Sequence, residues 1–184
     1  LSLFFSLVTV SGQTTFTAFS GAAIADSDID GVVGGEWSDA GAYPDAPLFG
    51  SKTAELWLKH DGTYLYIAYR IVGDSNNPWR AIQFTDLNCM ANGADGALLG
   101  HDEYSADGYV DIYFGGMGLI YVDAVQDGKA VINVENGNIT VEFKKPLNSG
   151  DTAGKDFAWS TNRTYTFRVM WDSDGNGSSG GNTN

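Results

Sequence analysis

The chain has 184 residues with 43% hydrophobic content, enough for one domain with a sizeable core and too much for a disordered tail. Its 23 acidic against 10 basic residues give a formal charge of −13, which excludes nucleic acid and anionic membrane surfaces as favoured partners and makes divalent cations suitable ones. The longest apolar stretch is about half of what a membrane-crossing helix needs, so no membrane span is expected.

The chain opens on an apolar, strand-like segment over residues 1–10. Leu1, Leu3, Phe5 and Leu7 share one face of an extended chain, forming a ridge that must be buried. It either completes the chain's own core or slots into a neighbouring copy, with Ser11-Gly12-Gln13 as the hinge. Residues 1–12 also have the apolar core and small-residue end of a secretion signal, and export is expected. A short strand follows at 14–19. Further strands are expected at 53–60, 63–72, 80–85, 109–114, 119–125, 129–134, 138–143 and 163–171. Asp61-Gly62, Asp127-Gly128 and Asn136-Gly137 read as tight hairpin turns, in keeping with 24 glycines and only 4 prolines. No window carries a sustained helical period.

The expected fold is all-β, a two-sheet antiparallel β-sandwich, jelly-roll-like, of about nine or ten strands with an extra N-terminal strand. It divides into an N-terminal strand and hinge (1–21), the sandwich (22–171) and a Gly/Asn/Ser-rich acidic tail (172–184). Residues 87–108 form a Gly/Asp/Asn-rich insertion long enough to suggest function. Cys89 is the single cysteine, so no internal disulfide is possible.

Ile29-Asp30-Gly31, followed by Gly35-Glu36-Trp37-Ser38-Asp39-Ala40, resembles the opening motif of family 9-like carbohydrate-binding modules. Residues 56–68 are similar to the first long hairpin of those modules. Val141-Glu142-Phe143-Lys144-Lys145-Pro146-Leu147, then Gly150-Asp151, resembles the related DOMON and ethylbenzene-dehydrogenase-type haem domains. The resemblance spans residues 29–171 and implies a secreted β-sandwich that binds sugar, haem or calcium.

Two loops have the spacing of a cation-binding half-loop. Asp26, Asp28 and Asp30 precede Gly31, and Asp172, Asp174 and Asn176 precede Gly177. Alternate oxygen side chains closed by glycine let a short loop curl round a hard cation such as calcium. Neither loop has the glutamate at position twelve that an EF-hand requires, and the competing reading is of carboxylates capping backbone amides. Asp95, Asp102, Glu103, Asp107 and Asp111 form a third, less specific acidic candidate.

Among five tryptophans, Trp57 and Trp171 lie in strand patterns and Trp37 is expected beneath its own loop. Trp79, next to Pro78, is the best candidate for an exposed sugar platform. Haem is disfavoured: His60, His101, Met90, Met117 and Met170 are the available axial ligands, and no C-x-x-C-H is present. Nothing reads as a nucleophile or a metal-hydrolase motif, so no enzyme is expected. Asn138, Asn162 and Asn176 begin glycosylation sequons. The leading expectation is a secreted structural subunit, calcium-stabilised, that assembles with copies of itself into a filament, tube or surface layer by donating its first strand. The alternative is a carbohydrate-binding module, and a non-covalent haem electron carrier ranks below both.

Overall fold

The computed structural model describes residues 2–9, 12–47, 54–73, 80–84, 91–99, 108–116, 119–151 and 156–171. Twelve strands run through them: β1 (Ser2–Thr9), β2 (Gly12–Ser20), β3 (Gly41–Tyr43), β4 (Ala54–His60), β5 (Tyr64–Ile71), β6 (Arg80–Phe84), β7 (Asp95–Leu99), β8 (Tyr109–Gly116), β9 (Leu119–Val122), β10 (Lys129–Glu135), β11 (Asn138–Pro146) and β12 (Thr164–Trp171). Two single-turn 3-10 helices, Asp26–Asp28 and Gly35–Trp37, interrupt the β2–β3 connection.

The strands form one hydrogen-bonded path, β10-β11-β5-β4-β2-β1-β12-β6-β7-β8-β9, with β3 flanking β4. The path doubles over into two layers whose inward side chains merge. Leu56, Leu58, Leu65, Ile67, Val141 and Phe143 come from one layer, and Ile82, Phe84, Ala97, Leu99, Phe167 and Val169 from the other. This is the all-β sandwich that the sequence implies. Strict alternation explains the division: β11 sends Ile139, Val141, Phe143 and Lys145 inward and Thr140, Glu142 and Lys144 to the outer face.

The leading strand departs from expectation. β1 pairs antiparallel with β2, Ser2 opposite Phe19, and parallel with β12, Phe5 opposite Tyr165. Both of its edges are used within the chain, so Leu3, Phe5 and Leu7 stand in the domain's own sheet; Leu1 lies outside the described residues. The register sets Thr9 against Gly12, and so short a closure costs far less entropy than recruiting a second molecule. The β1–β12 and β2–β4 pairings are both parallel, which corrects the purely antiparallel expectation.

Two further corrections concern the insertion and one turn. Residues 95–99 form β7, whose five residues are all buried. Asp127-Gly128 is no hairpin: β9 pairs with β8 and β10 with β11, so these residues lie in the crossover between layers. Gly128 is needed there for close approach, since a Cβ would fall 2.3 Å from the Tyr109 ring.

The β4–β5 hairpin is capped by Asp61. Its Oδ1 accepts from the amides of Thr63 and Tyr64, both at 2.7 Å, and its Oδ2 from the Tyr66 hydroxyl at 2.7 Å. Burial pushes the Asp61 carboxyl up, but these three donors and the Lys144 charge outweigh it and hold the carboxyl below its ordinary 3.8. The folded value lies below the unfolded one, so the stabilisation is present above 3.8 and is lost as pH falls through the folded value. Asp61→Ala is expected to cost about 1–2 kcal/mol at neutral pH in urea titrations. Its difference from the parent should shrink below pH of about 4; a gap independent of pH would count against this role.

Candidate functional site

One half of the outer face of β10-β11-β5-β4 is roofed by the loop at residues 21–40. Ile24, Ile29 and Trp37 bury themselves there against Tyr66 and Ala68. Glu142, fully buried in mid-strand, organises the roof. Its Oε2 accepts from the amides of Asp30 (2.8 Å) and Gly31 (2.6 Å), and its Oε1 from the Trp37 indole at 2.6 Å. Burial raises the Glu142 carboxyl against the pull of those donors. Lys59, 1% exposed, adds a second tie to the Glu36 carbonyl at 2.6 Å and to Asp39 at 2.8 Å.

The same loop carries the Asp26–Gly31 motif. Asp26 pairs with Lys144 at 2.6 Å, which holds its carboxyl below the usual range, and Lys129 donates to its carbonyl. Asp28 accepts from the Ser27 hydroxyl, and Asp30 turns back on the amide of Val32. All three carboxylates are exposed and do not converge on one point. The three candidate calcium ligands Asp26, Asp28 and Asp30 are thus engaged by a lysine, a serine hydroxyl and a backbone amide.

The other half of the face is open. A cleft of about 190 Å³ lies between Gly31 and Val32 of the roof, Arg70 of β5, Thr140 and Asn138 of β11, and the β10–β11 hairpin. Arg70 is its fixed point. Its Nη1 donates to Glu55 at 3.0 Å and its Nε to Thr140 at 3.3 Å, while the guanidinium lies 5.3 Å from the centre of the Trp57 ring. Asn133, Glu135 and Asn136 complete the rim. The cleft thus offers a pre-oriented planar cation, carboxamides and a carboxylate, the groups that bind hydroxyl-rich ligands through paired hydrogen bonds. The Trp57 face is covered by Arg70.

At the end of the sandwich a second polar constellation is enclosed between the layers. Lys145 continues the inward row of β11 and meets Asp95 (2.9 Å), Asp111 (2.6 Å) and Asp156 (3.4 Å). Tyr109 donates to Asp111 at 2.7 Å, and the Phe157 amide to Asp95 at 2.9 Å. Burial pushes the Asp95 carboxyl up to about 6 and that of Asp111 to about 7, against the pull of Lys145. Burial works to lower the Lys145 ammonium, but Asp95 and Asp111 outweigh it and hold it above its ordinary range. Gln126 fixes the β9–β10 crossover by binding both backbone groups of Asp111 and the carbonyl of Asp123.

Neither a family model nor a curated protein matches this sequence. Among solved structures, the chain is similar to a carbohydrate binding module family 9 protein from Caldicellulosiruptor kristjanssonii in complex with glucose. The TM-score is 0.49 at 13% identity, over 84% of this chain and 76% of that one. It is similar to the same module in complex with cellotriose, with TM-score 0.49 and 13% identity, over 84% of this chain and 74% of that one. Both belong to the module family that the 29–40 motif resembles.

Of the residues singled out by sequence, Trp79, Asp172, Asp174 and Asn176 lie outside the described residues, as do Met90, His101 and Met117. His60 is buried at the end of β4, where its carbonyl accepts from Gly21, and Trp37 is buried beneath its loop as expected. Asp95 and Asp111 of the third acidic candidate do come together. Sequence reasoning missed Arg70, Glu142, Lys145 and the crossover acids Asp123, Asp127, Asp151 and Asp156. One signal was available: Lys145 falls at an inward position after Ile139, Val141 and Phe143, where a lone charge demands a buried counter-charge.

Proposed function

We propose that this chain is a non-catalytic carbohydrate-binding domain whose sugar site is the Arg70 cleft. The observation that carries the reading is Arg70 itself, clamped by Glu55, Thr140 and Trp57 so that its remaining donors are fixed beside Asn133, Asn138 and Glu135. A guanidinium held in advance loses little entropy on binding, which favours a small polar ligand. The cleft is smaller than the roughly 300–1,000 Å³ of drug-sized ligand sites, a fit for one end of a saccharide and not for a large apolar molecule. The resemblance of residues 29–40 to family 9-like modules points the same way. The self-assembly reading loses its motivating observation, because β1 is engaged on both edges within the chain.

The test is calorimetric titration with glucose and cello-oligosaccharides, then a broader glycan panel. Arg70→Ala and Asn133→Ala are each expected to weaken binding at least about tenfold, equivalent to about 1.4 kcal/mol, with unchanged circular dichroism. No saturable binding to any glycan would overturn the proposal. Binding lost in Trp79→Ala but retained in Arg70→Ala would overturn this site.

A further inference from the structure

Where the two layer-crossing connections meet, Asp123, Asp151 and Asp156 each offer a carboxylate oxygen, and the three oxygens lie within 4.8 Å of one another. Two ligands at calcium–oxygen distances from one ion stand at most about 5 Å apart, so the three oxygens can share one ion. Acidic neighbours alone make no site, and the second observation is what faces them. Asp123 is only 5% exposed, and its Oδ2 is buried with no hydrogen-bond partner. The Asp156 side chain is 5% exposed, and its Oδ2 is likewise buried and unpartnered. Both oxygens of Asp127, in the same crossover as Asp123, are also shielded without a donor.

Lys145 cannot meet this need. An ammonium has three donors, and those of Lys145 are directed at Asp95, Asp111 and Asp156 Oδ1. Buried carboxylate oxygens left without hydrogen or metal are costly, and several side by side are more so. We propose that Asp123, Asp151 and Asp156 bind a divalent cation of the calcium class, with Asp127 beside them. Hard carboxylate oxygens on irregular loops suit calcium's flexible coordination better than the strict octahedron of magnesium. Asp156 then bridges ammonium and metal, and the ion pins the β9–β10 crossover to the β11–β12 crossover. This site shares no residue with the Arg70 cleft or with the Asp26–Asp30 loop.

The full chain, stripped with EDTA and dialysed, is titrated with calcium chloride by calorimetry and followed by thermal melting. Calcium should bind with a dissociation constant below about 1 mM and raise Tm by about 5 °C or more at saturation. Asp123→Asn and, separately, the better-exposed Asp151→Asn should each weaken binding at least about tenfold. If one variant fails to fold, the other still decides. Asp28→Asn and Asp174→Asn should bind as the parent does. Absence of calcium binding would overturn the proposal. So would parental affinity in Asp123→Asn and Asp151→Asn, or loss of binding confined to Asp28→Asn or Asp174→Asn.

Discussion

Lys145→Met is expected to destabilise the domain by about 3–5 kcal/mol, read as a lowered urea midpoint with an unchanged m-value. Lys145 is 3% exposed, and its partners Asp95 and Asp111 are 2% and 0% exposed. Methionine fills a similar volume, so the loss is not one of packing. It arises because two buried carboxyls keep their desolvation cost and lose the charge opposing it. Asp111 has the Tyr109 hydroxyl and Asp95 the Phe157 amide, and neither neutral donor replaces an ammonium. Adding Asp111→Asn to Lys145→Met should therefore recover part of the loss. A single variant within about 1 kcal/mol of the parent would show that the carboxyls are neutral in the native state and need no counter-ion.

Glu142→Gln is the second large effect, expected at about 2–4 kcal/mol although it changes one atom. The Glu142 carboxylate receives three donors and gives none. A carboxamide has one acceptor oxygen, so its NH2 must face either the Asp30 and Gly31 amides or the Trp37 indole. Either choice sets donor against donor in a site without solvent. The damage should concentrate in the roof: the amides of Asp30 and Gly31 lose hydrogen-exchange protection before β5 and β11 do. Uniform loss of protection across the sheet would mean that the roof is held by its apolar side chains alone.

The strands that the sequence displays best are those in which local preference and burial agree. β5 is a run of aromatic and β-branched residues, and Asn136 and Gly137 take the paired positive φ values, 52° and 74°, that a two-residue hairpin turn demands. β7 escapes notice because Asp95-Gly96-Ala97-Leu98-Leu99 has no β-branched residue, and its strand character comes from pairing on both sides. Asp127-Gly128 carries the same dipeptide signal as a hairpin but serves a crossover, since partner choice is settled by strands far away in sequence. The candidate sites divide likewise. The Asp26–Gly31 spacing is visible, but what claims it, Glu142 and Lys144, lies more than a hundred residues on. The acids of the crossover cluster come from separate connections and meet only once both layers are in place. Lys145 alone betrays them.

The seam between β1 and β12 joins residues 4–7 to residues 164–167. A chain emerging from the ribosome therefore has its first strand waiting for a parallel partner that arrives about 160 residues later, at a loop-closure cost that grows only logarithmically but delays the zipping step. Each layer can start from its own local hairpins, whereas stitching them into one continuous sheet must be a late event in folding. Before that moment the hairpin of β1 and β2 presents an unclaimed edge, and the interval in which it stays open is when this protein is most vulnerable to sticking to another chain.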